Sequence, residues 1–158
     1  MVLCSDAIGY FISFDICRQL DGYQIWYILL WTFQTYVDIR GEREVAVWFE
    51  GIGPEDQASV LTALEQLAKV ERDYWRRPQF DTLRKMDGMG EVILGKVGGV
   101  QTRLVGFFGP KSNRHVFTIV LVVTKKMNVY EPKDWEKTAL RRRQECEEEK
   151  GRADVWYP

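Results

Sequence analysis

Apolar positions recur along this chain with two different periods. Between residues 42 and 75 they follow a helical spacing, and between 91 and 124 the two-residue spacing of strands. Val45, Trp48, Phe49 and Ile52 fall at i, i+3, i+4 and i+7, so residues 42–50 predict a short helix that Gly51 and Gly53 stop. Pro54 opens a second helix, because a first-turn proline gives up only an amide that has no intrahelical partner. Glu55 and Asp56 add negative charge where the helix dipole favours it. Its apolar stripe is Val60, Leu61, Leu64, Leu67 and Ala68, and it runs to about Trp75, before Arg76, Arg77 and Pro78. Upstream, the aromatic and β-branched stretch 25–36 predicts a strand. Downstream, strands are predicted at 91–97, 100–108 and 115–124. A closing helix over 132–150 has a thin stripe of Trp135, Ala139 and Cys146, with Arg141–Glu145 and Arg143–Glu147 pairs one turn apart. The order β-α-α-β-β-β-α describes an α+β fold. Its sheet is mainly antiparallel, with the two N-terminal helices on one face and a C-terminal helix.

Gly98-Gly99 is a two-residue turn of the kind that needs positive φ at both positions. It sets Val97 opposite Val100, Lys96 opposite Gln101 and Leu94 opposite Arg103. Lys96 and Arg103 then share a face as diagonal neighbours, roughly 7–8 Å apart. The last strand ends in Lys125-Lys126. Pairing Phe108 with His115 would bring Lys126 to the same face, with Arg84 and Lys85 close in sequence. Such a face suits a phosphodiester, since fixed cations neutralise phosphate and stabilise the added charge of a pentacoordinate transition state. A solvated sheet face whose lysines guard an edge is the competing reading. His115 is a candidate general base, against a structural role at a loop-to-strand junction. Arg141, Arg142 and Arg143 are candidate RNA contacts, against a solvated helix face.

Charge sharpens this picture. The chain has 158 residues, enough for one domain with its own core, and a formal net charge of -1. Yet Lys and Arg outnumber Asp and Glu by ten to three between Arg76 and Lys126. A local basic surface inside an acidic chain points to a polyanionic partner, because partners are steered by patches. Three cysteines (Cys4, Cys17, Cys146), odd in number and without metal spacing, predict a reducing, cytoplasmic setting with no disulfide framework. One histidine and no HExxH or CxxC make a metalloenzyme unexpected, and neither a metal nor another cofactor is called for. The apolar run 23–37 is shorter than the roughly 20 residues that span a bilayer, so no membrane partner is expected. Residues 1–24 do not fit the pattern of the rest and read as a leader of uncertain status. Their removal is expected to leave a folded protein. Residues 151–158 read as a tail.

From Trp31 onward the chain resembles the RelE/HigB-type toxins, and among them a phage-derived host-toxicity subfamily of type II toxin-antitoxin toxins. The resemblance is carried by Trp-Thr-Phe-Gln-Thr-Tyr at 31–36, the helix around Val45-Ala46-Val47-Trp48-Phe49, and the Pro-Glu-Asp-Gln-Ala-Ser-Val-Leu helix. In the later half it is carried by Gly-Gly-Val-x-x-Arg-x-x-x-Phe-Phe-Gly-Pro, the strand ending Lys-Lys and the Arg-rich closing helix. It covers about 31–148, within a toxin domain placed at 25–150. The resemblance implies a RelE-like fold and a toxin that enters the ribosomal A site and cleaves mRNA without metal. Its partners would be the ribosome, mRNA and a cognate antitoxin of helix-turn-helix type. The substrate 2′-hydroxyl is then the nucleophile, which agrees with the lack of a Ser-His-Asp set. Arg103, Lys125, Lys126 and Tyr130 become the expected catalytic residues, with Lys96, Arg84 and Lys85 binding substrate. The chain departs from the family pattern at Gln101, where an arginine is frequent, and at Val129 or Tyr130, where a further lysine is usual. Lys96 is the nearest match to a second-strand arginine. A ParE-like inhibitor of DNA gyrase without nuclease activity, or an inactive phage-derived binding protein of the same fold, are the alternatives.

Overall fold

The computed structural model describes residues 18–20, 23–25, 30–110, 115–148 and 152–156. Most of the expected leader, residues 1–17, lies outside the described residues, as do Lys111 and Arg114 of the basic stretch. Two short strands, β1 (Arg18–Leu20) and β2 (Tyr23–Ile25), pair only with each other. The remaining elements are β3 (Thr32–Tyr36), α1 (Glu44–Gly51), α2 (Pro54–Ala68), β4 (Phe80–Thr82), β5 (Met89–Val97), β6 (Val100–Phe108), β7 (Val116–Lys126), β8 (Val129–Glu131), α3 (Trp135–Glu148) and β9 (Ala153–Val155). They build a seven-stranded sheet in the order β4-β5-β6-β7-β3-β9, with β8 paired to the far end of β7. Among the described residues the protein is α+β with three α-helices and a mainly antiparallel open sheet, in which only β3 and β7 run parallel.

The helices divide between the two faces, and the burial pattern gives the reason. On one face Val45 and Phe49 of α1 and Val60, Leu64, Leu67 and Ala68 of α2 cover Val92, Leu104, Phe117 and Ile119 of the sheet. Trp31 and Trp75 pack there at 5.1 Å and seal the end of that core. On the other face Trp135, Ala139 and Cys146 of α3 cover Val105, Phe107, Val120, Leu121 and Val123. The stripes expected on all three helices face these cores, with Trp48, Ile52 and Leu61 only partly buried at their margin. The second helix stops at Ala68 rather than near Trp75, and a single 3-10 turn at Arg72–Tyr74 follows. Of the strand expected over 25–36, Ile25 belongs to β2 and Thr32–Tyr36 to β3, which pairs with the main sheet from Thr32, while residues 26–29 lie outside the described residues. Residues 153–155, expected as part of a tail, supply the edge strand β9 beside β3, and Trp156 is buried in the first core.

Two bulges change the expected register. Gly98 and Gly99 have φ of 57° and 81°, and they set Val97 opposite Val100 and Lys96 opposite Gln101 as expected. Gly95 then takes φ of 79° and the pairing slips, so that Ile93, not Leu94, faces Arg103. Only a residue without a Cβ takes that conformation at no steric cost, and an isolated glycine inside a strand pattern is its signal. A second slip between Val105 and Gly106 leaves Val120 unopposed, and Phe108 faces Phe117 rather than His115. The side-chain period of two then moves Lys126 off the Arg103 face and puts Lys125 on it.

Candidate nucleic-acid interface

The α3 face of the sheet extends past the helix toward the two hairpin tips. There Lys96 of β5 lies opposite Gln101 of β6. One residue beyond the Thr102–Thr124 pair comes Lys125 of β7, and Lys125 pairs with Tyr130 of β8. Lys96, Gln101, Lys125 and Tyr130 thus form one row across four strands, with Arg103 in the next row inward. The Lys125 ammonium stands over the Tyr130 ring at 5.0 Å, and that ring also stacks on Trp135 at 4.8 Å. Arg84 and Lys85, on the turn before β5, line a groove of about 280 Å³ together with Tyr130, Trp135 and Glu136. The fold therefore gathers six of the seven expected residues on one face. Lys126 is exposed and belongs to the other face by strand alternation.

Beneath this row lies a buried polar group that changes the expected role of Arg103. The Glu91 side chain is 3% exposed and that of Arg103 11%. Arg103 Nε stands 3.7 Å from Glu91 Oε1 without a hydrogen bond of its own, while Nη1 donates to the Thr102 carbonyl at 2.9 Å and to Gln101 Oε1 at 3.3 Å. Arg103 is thus not the open cation expected from the hairpin pattern. The neighbouring β7 and the buried Glu91 enclose it, because a carboxylate taken out of water needs a charged or hydrogen-bonding partner. The Tyr130 hydroxyl donates to both Glu91 oxygens, at 2.8 and 3.0 Å. Burial first, then this hydrogen bond and the Glu91 charge, hold the Tyr130 phenol well above its ordinary pKa, with Arg103 opposing. At neutral pH Tyr130 is therefore a neutral hydroxyl whose proton points at Glu91.

Glu91 is a site residue outside the expected catalytic and binding set. Its signal is a lone carboxylate on the inward phase of an apolar strand, across from Val105. The remaining candidates sit elsewhere. His115 occupies the opposite end of β7, packed on Trp31 at 5.4 Å, roughly 30 Å of strand from Lys125. Arg141 and Arg143 make the expected one-turn pairs with Glu145 and Glu147, and Arg142 binds Glu44 and the Val120 carbonyl. All three arginines are thus engaged within the fold. Among the described residues no helix is long and apolar enough to cross a membrane. No model of a known family, no characterised protein and no solved structure matches this chain.

Proposed function

We propose that this protein is a metal-independent, ribosome-dependent mRNA endoribonuclease of the RelE-like type, the toxin of a type II toxin-antitoxin pair. The observation that carries the reading is the convergence of Lys96, Lys125, Tyr130, Arg84 and Lys85 on one open face above a buried Glu91–Arg103 pair. Phosphate oxygens would be met by the Lys96 and Lys125 ammoniums, and the strand leading to the groove by Arg84 and Lys85. The reaction then needs a proton acceptor for the ribose 2′-hydroxyl. Tyr130 Oη is placed to take that proton as it passes its own to Glu91, 2.8 Å away. The 2′-oxygen attacks the adjacent phosphorus, the P–O5′ bond breaks, and the products are a 2′,3′-cyclic phosphate and a 5′-hydroxyl end that takes up a proton. Lys125 stabilises the extra charge on the pentacoordinate phosphorus.

Cleavage of mRNA on translating ribosomes, run in EDTA, tests the reading. Tyr130→Phe should slow single-turnover cleavage by about a hundredfold, the low end of what a positioned proton-transfer group contributes. A Phe variant as fast as the parent removes the relay, and no cleavage by the parent removes the nuclease. The enclosure of Arg103 favours a second reading, since this cation is held by Glu91 rather than presented to a phosphate. A non-nucleolytic inhibitor of gyrase, in the manner of ParE, would block supercoiling while leaving mRNA intact.

A further inference from the structure

The β7–β8 turn has a composition that folding does not explain. Met127 and Asn128 have φ of 46° and 66°, the left-handed pair of a two-residue hairpin turn in which Gly, Asn and Asp are usual. Methionine accepts that conformation only at a cost, and here its side chain is 92% exposed, so burial gives nothing back. Val129 (56%) and Val100 (43%) stand exposed beside it, with Lys126 between them across the strands. Strain held at an exposed apolar tip points to a contact made outside the monomer.

A surface of matching character lies on another part of the fold. The loop after β3, the outer side of α1 and Arg142 of α3 line a groove of about 760 Å³. Its lining includes Val47, 65% exposed, and an acidic border of Asp38, Glu42 and Glu50. Arg142 and Arg43 do not neutralise that border, because Arg142 pairs with Glu44 and Arg43 with Asp154. Among the described residues the Glu42 and Glu50 carboxylates have no ion-pair partner, and neither does Lys126 at the tip. The tip is apolar ringed by cations, and the groove is apolar ringed by anions.

We propose that the β7–β8 tip of one copy docks into the α1–α3 groove of a second copy, with Met127 seated against Val47. The contact joins two different surfaces, so each dimer keeps one free tip and one free groove and the assembly grows head to tail. A hairpin tip buries little area, which places the contact among weak, reversible encounters below about 1,200 Å². The proposal stands apart from the nuclease reading. Its consequence for that reading is that self-association covers the strand ends bearing Lys125 and Lys126, so RNA and a second copy would compete for them.

Sedimentation velocity on the full chain decides this with a charge exchange. Met127→Asp puts an anion against the acidic border at a position where Asp tolerates the left-handed conformation. Val47→Lys puts a cation against the basic tip at an exposed helix site. The unmodified protein should rise in weight-average mass at least about twofold between roughly 1 µM and 1 mM, and lose most of that rise in about 0.5 M salt. Each single variant should remain monomeric with an unchanged melting temperature. Their equimolar mixture should recover a heterodimer and the parent's further growth, because the acidic tip of the Met127→Asp chain meets the basic groove of the Val47→Lys chain while the unaltered tip of the latter still fits the unaltered groove of the former. An unmodified protein that stays monomeric throughout, a single variant that associates as the parent does, or a mixture that fails to recover the dimer overturns the proposal.

Discussion

Arg103 and Glu91 show how burial decides what a charged side chain is for. Removing the arginine leaves a carboxylate 3% exposed with only the Tyr130 hydroxyl to answer it. Arg103→Ala should therefore lower stability by about 3 kcal/mol, the scale of breaking a buried pair. That is well beyond the roughly 1 kcal/mol of an exposed substitution. Urea unfolding measures it, and a loss under about 1 kcal/mol would mean that Glu91 is hydrated in solution. The same logic gives an alkaline limit. Tyr36, 5% exposed, donates to Glu145, and burial followed by that hydrogen bond pushes its phenol up to about 12. A folded pKa above the unfolded value of about 10 gives stability that is complete below about pH 10 and is lost as the pH rises toward 12. The urea midpoint should fall between about pH 9 and pH 11.5, and Tyr36→Phe should flatten part of that fall. An equal slope in the variant would assign the alkaline loss elsewhere. Residue types pointed to Lys96, Arg103, Arg84, Lys85 and a terminal lysine on the α3 face, and the family resemblance added Tyr130. They could not separate an open cation from an enclosed one, since enclosure of Arg103 depends on its neighbours in β5, β7 and β8 rather than on its own strand.

At the scale of the elements, periodicity located the three helices and the long strands because each has enough residues for its buried stripe to repeat. The three-residue strands β4, β8 and β9 have no such repeat, and tertiary pairing alone defines them. Register was legible at the Gly98-Gly99 turn, where the residue type dictates the geometry, and became wrong at each bulge. Gly106, which borders the second slip, is held to glycine by space. A Cβ there would meet the Thr118 carbonyl oxygen at 2.4 Å and the Phe117 ring at 2.6 Å. Backbone oxygen in a paired strand cannot move aside as a flexible side chain would. Gly106→Ala should cost about 2 to 3 kcal/mol, at the upper end for overpacking. A thermal melt within about 2 °C of the parent would show that the sheet can open at this point without loss.

For the molecule as a whole, the sheet is closed by residues that composition marked only as a tail. Trp156 packs edge-on against Phe49 of α1 at 5.3 Å, and its amide donates to the Phe33 carbonyl. A chain ending before Arg152 loses both that burial and the β9 ladder, and should melt about 10 °C lower, as expected for roughly 3–5 kcal/mol in a domain of this size. Trp156→Ala in the full-length chain separates the two contributions. If the truncated chain melts as the parent does, β9 adds nothing to the fold.

The position of β3 in the strand order has a consequence in time. It lies between β7 and β9, and both neighbours follow it in the chain by some eighty residues or more. During synthesis β3 therefore emerges well before either partner and stays unpaired on both edges until β7 follows it. Contacts of such separation are slow to form, because a long loop must close before any of them is gained. The β5–β6 hairpin and the two N-terminal helices can organise locally, but the sheet cannot be completed while β7 and β9 are still being added. Completion of the sheet is thereby tied to the synthesis of its last-made strand, β9, rather than to that of β3.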